Sequence, residues 1–244
     1  MLNVVKYSLE TYFKHIILIL FSSIAFFIAL LIPIFASFPT YNDAGGIFLR
    51  FTNIFNLGKF NIFIIIVSVL FSLLFLSFAI VSINVIVKHK RTYSKIKNEV
   101  IQGLEKYTGK VFLVLLLFSF IAIAVPILLN KLVFGFSGLV SAVILLCLIP
   151  IFFYAPSSIV IDDSKTINAI KKSISFFSKK FNYFILWLII AVVLITLFDF
   201  IFTSLFPTLI SIFIMLIFNS IFILPFLVIL QAESYMKRFA LLKH

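Results

Sequence analysis

The sequence predicts an all-α, polytopic membrane protein, six transmembrane helices laid out as three repeats of an amphipathic helix followed by a transmembrane hairpin. Three observations lead there. Hydrophobic residues make up 64% of the chain and charged residues only 11%, whereas a soluble domain is roughly 45–50% apolar. Six runs are long enough to cross a hydrocarbon core, which takes about 20 apolar residues per helix: Ile16 to Phe38, Asn61 to Val87, Val111 to Asn130, Leu139 to Ile161, Asn182 to Phe206 and Thr208 to Glu233. The polar segments between them carry apolar residues at steps of three and four, the period of a one-sided helix. Little chain is left for a soluble domain, so 1–244 is expected to be one membrane domain, divided into repeats at 1–87, 88–161 and 162–236.

Residues 1–15 place Leu2, Val5, Leu9 and Tyr12 on one face and Asn3, Lys6 and Glu10 away from it, which predicts a short interfacial helix. The first span lies behind this polar segment and lacks a small-x-small cleavage site, so it is expected to stay in the mature protein. After it, Phe38-Pro39 and Asp43-Ala-Gly-Gly46 break the helix. The spacing of Ile47, Phe48, Phe51, Ile54 and Phe55 then predicts a surface helix over 47–57. The second span ends in Lys88-His-Lys-Arg91, and Ile96, Val100, Leu104 and Tyr107 form a stripe that predicts a second interfacial helix before Lys110. Gly135 and Gly138 mark the turn between the third and fourth spans. Ile167, Ile170, Ile174, Phe177 and Phe181 line one face of a third interfacial helix, beside or opposite Lys171, Lys172, Lys179 and Lys180, and Phe206-Pro207 closes the last hairpin.

Charge placement gives the orientation. Seventeen of the twenty Lys and Arg fall in 1–15, 88–110, 162–181 and 237–244; Arg50, Lys59 and Lys131 are the remainder. By the positive-inside rule both termini and the two basic connections are expected to be cytoplasmic, in the cell membrane. An even number of spans satisfies that requirement.

The repeat has its own residue evidence. Setting Asn3 against Asn168 aligns Lys6 with Lys171, Ser8 with Ser173 and Lys14 with Lys179, with the apolar pair Leu9 and Ile174 between them. Setting Asn3 against Asn98 aligns Leu9 with Leu104, Glu10 with Glu105 and Tyr12 with Tyr107. Chance matching in a biased composition is the competing explanation, and agreement with the span boundaries favours the repeat. Three such units imply a pseudo-threefold bundle with its amphipathic helices as a collar. The units are parallel, unlike the inverted repeats of many alternating-access transporters.

The phrase Ala155-Pro156, Ile159-Val160, Asp162-Asp163, Ala169-Ile170, Ser173, Phe181-Asn182 resembles a pattern in a loose group of six-span archaeal and bacterial membrane families of unknown function. These are similar to the membrane domain of some glycerophosphoryl diester phosphodiesterases. The resemblance covers about thirty residues and, beyond them, the layout alone. It implies an architecture and a membrane setting; it brings no catalytic residues, and the phosphodiesterase catalytic domain is not in this sequence.

The search for chemistry excludes more than it finds. Eight carboxylates are too few for an acidic metal cluster, and Asp162 and Asp163, being adjacent, diverge by about 100° on a helix. Capping of the following helix is the role expected of them. His15, His89 and His244 are far apart, Cys147 has no partner, and there is no H-E-x-x-H, G-x-S-x-G, G-x-x-x-x-G-K-[ST] or G-x-G-x-x-G. No enzyme, no metal and no cofactor are expected. The candidate intramembrane polar site is Asp199 with Asn219 and Asn84. One reading pairs Asp199 with Lys131 across the outer turns; the other makes it an ion or substrate contact, the default for an ionisable group within a span. For Asn84 and Asn219, hydrogen bonding between helices suffices. Pro126, Pro150, Pro156 and Pro225 free carbonyls that either line a cavity or accompany bends.

The expected partners are membrane lipids, with anionic headgroups held by Lys88, Lys90, Arg91, Lys171, Lys172, Lys179 and Lys180. Nucleic acid is not expected, since the charge is spread over interfacial segments without a binding motif; a protein partner stays open. The function expected is that of a non-enzymatic accessory or scaffold module. The alternative is a transporter or lipid-handling protein with an intramembrane cavity; a small-ligand-binding subunit that works with an energising partner has no motif in its favour.

Overall fold

The structure, a computed structural model, describes residues 2–35, 40–41, 48–49, 59–89, 96–132 and 137–237. Six of its helices are long and apolar enough to cross a membrane: Ile16–Pro33, Ile62–His89, Asn98–Leu129, Val140–Ile161, Phe181–Leu205 and Ile210–Met236. The chain is a multi-pass membrane protein. The elements, in order, are α1 (Leu2–Lys14), α2 (Ile16–Phe35), the paired stretches β1 (Thr40–Tyr41) and β2 (Phe48–Leu49), α3 (Lys59–His89), α4 (Ile96–Leu132), α5 (Ser137–Phe153), α6 (Ala155–Ile161), α7 (Thr166–Lys179), α8 (Phe181–Leu205), α9 (Thr208–Phe218), a π-helical turn (Asn219–Ile223) and α10 (Leu224–Met236).

Two expectations from the sequence are revised. The surface helix over 47–57 is not what Phe48 and Leu49 form: they pair antiparallel with Tyr41 and Thr40, and the rest of that segment lies outside the described residues. The stripe at 96–110 does not form a separate interfacial helix either. It is the first part of α4, which runs unbroken for 37 residues into the third span, because nothing between Lys106 and Val114 stops a helix except the tolerated Gly109. Val100, Tyr107, Val111 and Val114 are buried, so the stripe packs on protein, chiefly against the end of α3. Gly103 makes this approach possible, since a Cβ there would stand 2.5 Å from Val85 Cγ2.

The core sits at one end of the bundle, here the basic end, where α1, the start of α4 and α7 gather. Along α3, residues 79–87 are all buried while residues 62–76 are open or half-open; α6 is buried along nearly its whole length, and so is α10 from Ile229 to Met236. These three segments touch one another and share one apolar cluster that includes Ile83, Ile86, Ile159, Val160, Ile229 and Ala232. Elsewhere along the spans Phe63, Phe71, Phe120, Leu146 and Phe200 are exposed, as lipid-facing side chains are.

The leading helices bury faces of their own. α1 buries Val4, Ser8, Thr11 and Tyr12 and packs on α10, while Leu9 and Phe13 are exposed. α7 buries Ala169, Ser173 and Phe176 and packs on α5 and α6; Ile167, Ile174 and Phe181 are exposed. In both helices a serine lies at the centre of the buried face, where close approach and hydrogen bonding hold membrane helices together, beside a buried aromatic ring, Tyr12 in α1 and Phe176 in α7; only part of each predicted apolar stripe faces away.

Candidate functional site

The fourth span is broken between α5 and α6, and neighbouring helices hold the break. A regular helix would join the amide of Tyr154 to the carbonyl of Pro150. Here Tyr154 N donates to Ser173 Oγ at 3.0 Å, and Ser173 Oγ lies 3.2 Å from Pro150 O. The hydroxyl of α7 is inserted into the backbone ladder of span four, one of the recognised causes of a sharp bend. On the other side, Gln231 Nε2 of α10 donates to Phe153 O.

Proline-freed carbonyls elsewhere are capped in the same manner. Pro225 has no N–H to offer Ile221, and Ile221 O accepts instead from the phenol of Tyr12 at 2.9 Å and lies 3.5 Å from Ser23 Oγ. Burial pushes the Tyr12 phenol above its ordinary range, which keeps it a donor. Pro33 frees Ala29 O, which accepts from Ser72 Oγ on α3 at 2.6 Å. The freed carbonyls at Ile221 and Ala29 therefore serve helix packing.

Charged side chains form a second layer outside this one. Asp162, whose side chain is only 7% exposed, accepts from Lys172 Nζ and from the Tyr235 hydroxyl, each at 2.8 Å; Lys172 also reaches Ser164 Oγ at 2.7 Å. Lys88 donates to Val160 O at 2.7 Å and to Tyr107 OH at 3.3 Å. The ammonium groups of Lys88, Lys106 and Lys110 all lie within 5.6 Å of the Tyr107 ring centroid, and Lys106 pairs with Asp163 at 2.5 Å. Thr11 Oγ1 of α1 lies 2.9 Å from the buried Glu233 of α10.

The expected capping role of Asp162 and Asp163 is corrected here. They end α6 rather than begin α7: Asp162 is its C-terminal cap, Asp163 follows with a positive φ of 53°, and the residue before α7 is Lys165, which makes no side-chain cap. Asp tolerates the left-handed conformation better than most residues. The hydrogen bond from Lys106 holds the Asp163 carboxyl below its ordinary range.

The predicted polar site divides. Asn84 is fully buried on α3, with Nδ2 bonded to Ile80 O at 2.8 Å. Asp199 lies on α8 and Asn219 opens the π-helical turn, and the Oδ1 atom of each is enclosed without a hydrogen bond. Lys131 is in α4, but its side chain is outside the described residues, as are Lys90 and Arg91. Of the remaining expected lipid contacts, Lys88 and Lys172 bond internally, while Lys171, Lys179 and Lys180 are exposed on or just after α7. Among the described residues no group of His, Cys, Asp and Glu is placed to hold a metal ion. The backbone-capping roles of Ser173, Gln231 and Tyr12 are not legible in the sequence, because a hydroxyl or amide that caps another helix's backbone leaves no local pattern; Ser173 and Tyr12 stand out there only through the repeat alignment, with Ser8 and Tyr107, and Ser173 through the resemblance phrase. Comparison with known protein families, curated proteins and solved structures gives no match.

Proposed function

We propose that the chain is a non-enzymatic membrane module, an accessory or scaffold subunit, whose basic cytoplasmic collar holds anionic lipid headgroups. The observation that carries this reading is the three-sided build of α7. Ala169, Ser173 and Phe176 face protein, Ile167 is 70% exposed beside Ile174 and Phe181, and Lys171, Lys179 and Lys180 are exposed on the polar side. An exposed apolar stripe flanked by lysines suits the boundary between acyl chains and headgroups, where each well-placed cation contributes about 1 kcal/mol against anionic lipid.

The threefold repeat belongs to this proposal, and the burial pattern supports it. In the register that sets Asn3 against Asn168, the pairs Val4 and Ala169, Ser8 and Ser173, and Thr11 and Phe176 are buried in both helices, and Leu9 and Ile174 are exposed in both. Each unit's leading segment packs on the second span of the unit before it: 96–110 on α3, α7 on α5 and α6, and α1 on α10, which closes the ring. Seventeen basic residues in the segments of one face support a cytoplasmic placement of that collar and of both termini.

The test is native mass spectrometry of protein extracted gently from its membrane, with identification of the retained lipids, on the wild type and on a Lys171→Ala, Lys179→Ala, Lys180→Ala variant. Retention of exchangeable anionic lipid by the wild type, cut several-fold in the variant, is expected. Equal retention by both would remove the collar from the explanation. A transporter or lipid-handling protein is the second reading, favoured by the unbonded Oδ1 atoms of Asp199 and Asn219 within the spans. Recovery of one stoichiometric non-bulk lipid or metabolite would select it.

A further inference from the structure

We propose that the crossing of α3 and α6, at the level of Asn84 and the Ser157–Ser158 pair, is a bound-water site inside the membrane bundle. Asn84, Ser157 and Ser158 are all fully buried. Asn84 commits its Nδ2 to Ile80 O one turn back, and its Oδ1 makes no hydrogen bond with the protein. Neither do the hydroxyls of Ser157 and Ser158.

The orphaned Ser157 hydroxyl has a structural cause. A helical serine usually donates to the carbonyl four residues back, as Ser8, Ser23, Ser220 and Ser234 do in this chain. For Ser157 that carbonyl is Phe153 O, at the break in span four, and it accepts from Gln231 Nε2 of α10. The contact that holds the break thus leaves the Ser157 hydroxyl to find a partner outside its own helix, and the neighbouring Ser158 hydroxyl makes no hydrogen bond with the protein either.

Register brings the third group to them. Spans two and four run in the same direction and pack together at this end. Lys88, one turn beyond Asn84, reaches the carbonyl of Val160, three residues beyond Ser157, at 2.7 Å. Asn84 and Ser157 therefore lie at one level of the α3–α6 contact, with Ser158 beside them. A buried polar group without a partner costs free energy that a bridging water recovers, and such waters make about three hydrogen bonds to groups of this kind. Consecutive residues diverge by about 100° around a helix, so linked waters reach an amide oxygen and two hydroxyls more readily than a single ion does. All three groups are neutral, and none offsets the desolvation of a cation.

The test compares wild type with Asn84→Leu in lipid nanodiscs. If Asn84 Oδ1 faced a dry contact, leucine would remove a costly group and raise Tm. With bridging water, leucine removes the acceptor and strands the serine hydroxyls, and Tm falls by about 2–4 °C or more. A raised or unchanged Tm overturns the proposal. Water-edited solid-state NMR of the wild type, labelled at asparagine, does not depend on the variant folding; magnetisation transfer from bound water to the Asn84 side chain is expected, and its absence overturns the site. Replacing sodium and potassium chloride by choline chloride should leave Tm unchanged. A cation-specific rise would put an ion where the proposal puts water.

Discussion

The amide of Tyr154 and the hydroxyl of Ser173 stand 3.0 Å apart, and through this contact a helix outside the spans completes the backbone of one inside them. Tyr154 is itself fully buried, its ring edge-on to Phe176 of the same α7 helix at a centroid separation of 4.6 Å. The polar contact and the ring contact lie one turn apart on α7 and fix the same point of span four.

Removing that hydroxyl leaves both Tyr154 N–H and Pro150 O without their partner, in a setting that water does not reach freely. Ser173→Ala is expected to lower stability by about 1–3 kcal/mol, the cost of stranding buried polar groups, and to speed hydrogen exchange at the Tyr154 amide. Thermal unfolding in nanodiscs, with exchange followed by mass spectrometry, measures both. Wild-type exchange at Tyr154 in the variant would show that the hydroxyl is not what satisfies the amide.

The two glycines of α4 should respond to alanine with opposite signs. At Gly103 the new methyl would meet Val85 Cγ2 at 2.5 Å, and Val85 is 1% exposed. A β-branched side chain in a helix has little rotamer freedom to withdraw, so α3 and α4 must part, at a cost of about 1–3 kcal/mol. At Gly109 a methyl meets nothing within 4 Å, and the variant should gain about 0.5–1 kcal/mol from helix propensity. Denaturant titration of the pair decides it; a shift of the same sign in both would contradict the packing described at Gly103.

Asp163 gives stability a pH dependence of known sign. Its folded carboxyl titrates below the ordinary value of 3.8, chiefly because of the Lys106 hydrogen bond. Its contribution is therefore complete above about pH 5, where the unfolded group is almost fully ionised, and is lost as pH falls through the unfolded and then the lower folded pKa. The effect is small, since both side chains are about half exposed. Asp163→Asn should lower stability slightly near neutrality, where the ionised carboxylate contributes, and converge with the wild type in acid, so that the acid limb of the profile is shallower. An unaltered acid limb would remove the Lys106 contact from the account.

Each of the six apolar runs is helical along nearly all of its described residues, the fourth and sixth in more than one segment, because length and the scarcity of charge are properties of the run itself. Faces were harder. At α7 the periodicity of Ile167, Ile170, Ile174, Phe177 and Phe181 identified an apolar stripe, but Ile167, Ile174 and Phe181 are exposed, and the buried side chains are Ala169, Ser173 and Phe176, with Ile170 and Phe177 packed partly against protein. In a chain surrounded by lipid, apolarity no longer marks the inside, so the contact face of α7 combines small and hydroxyl-bearing side chains with one aromatic ring, Phe176. The break at Tyr154 had a visible cause in Pro150 and Pro156; its partners Ser173 and Gln231 did not, since those contacts join residues 19 and 78 positions apart. The continuity of α4 was hidden by the change from polar to apolar composition at Val111, which alters the surroundings of a helix without ending it.

That continuity has a mechanical consequence. A helix of 37 residues is about 55 Å long at 1.5 Å per residue, against a hydrocarbon core of about 30 Å. Its basic stub and its lipid-crossing shaft are one lever. Tilting or rotating the stub turns the shaft with it as far as Pro126, where the missing amide loosens the helix, so a force applied at the basic surface is carried most of the way across before it meets a point that can bend.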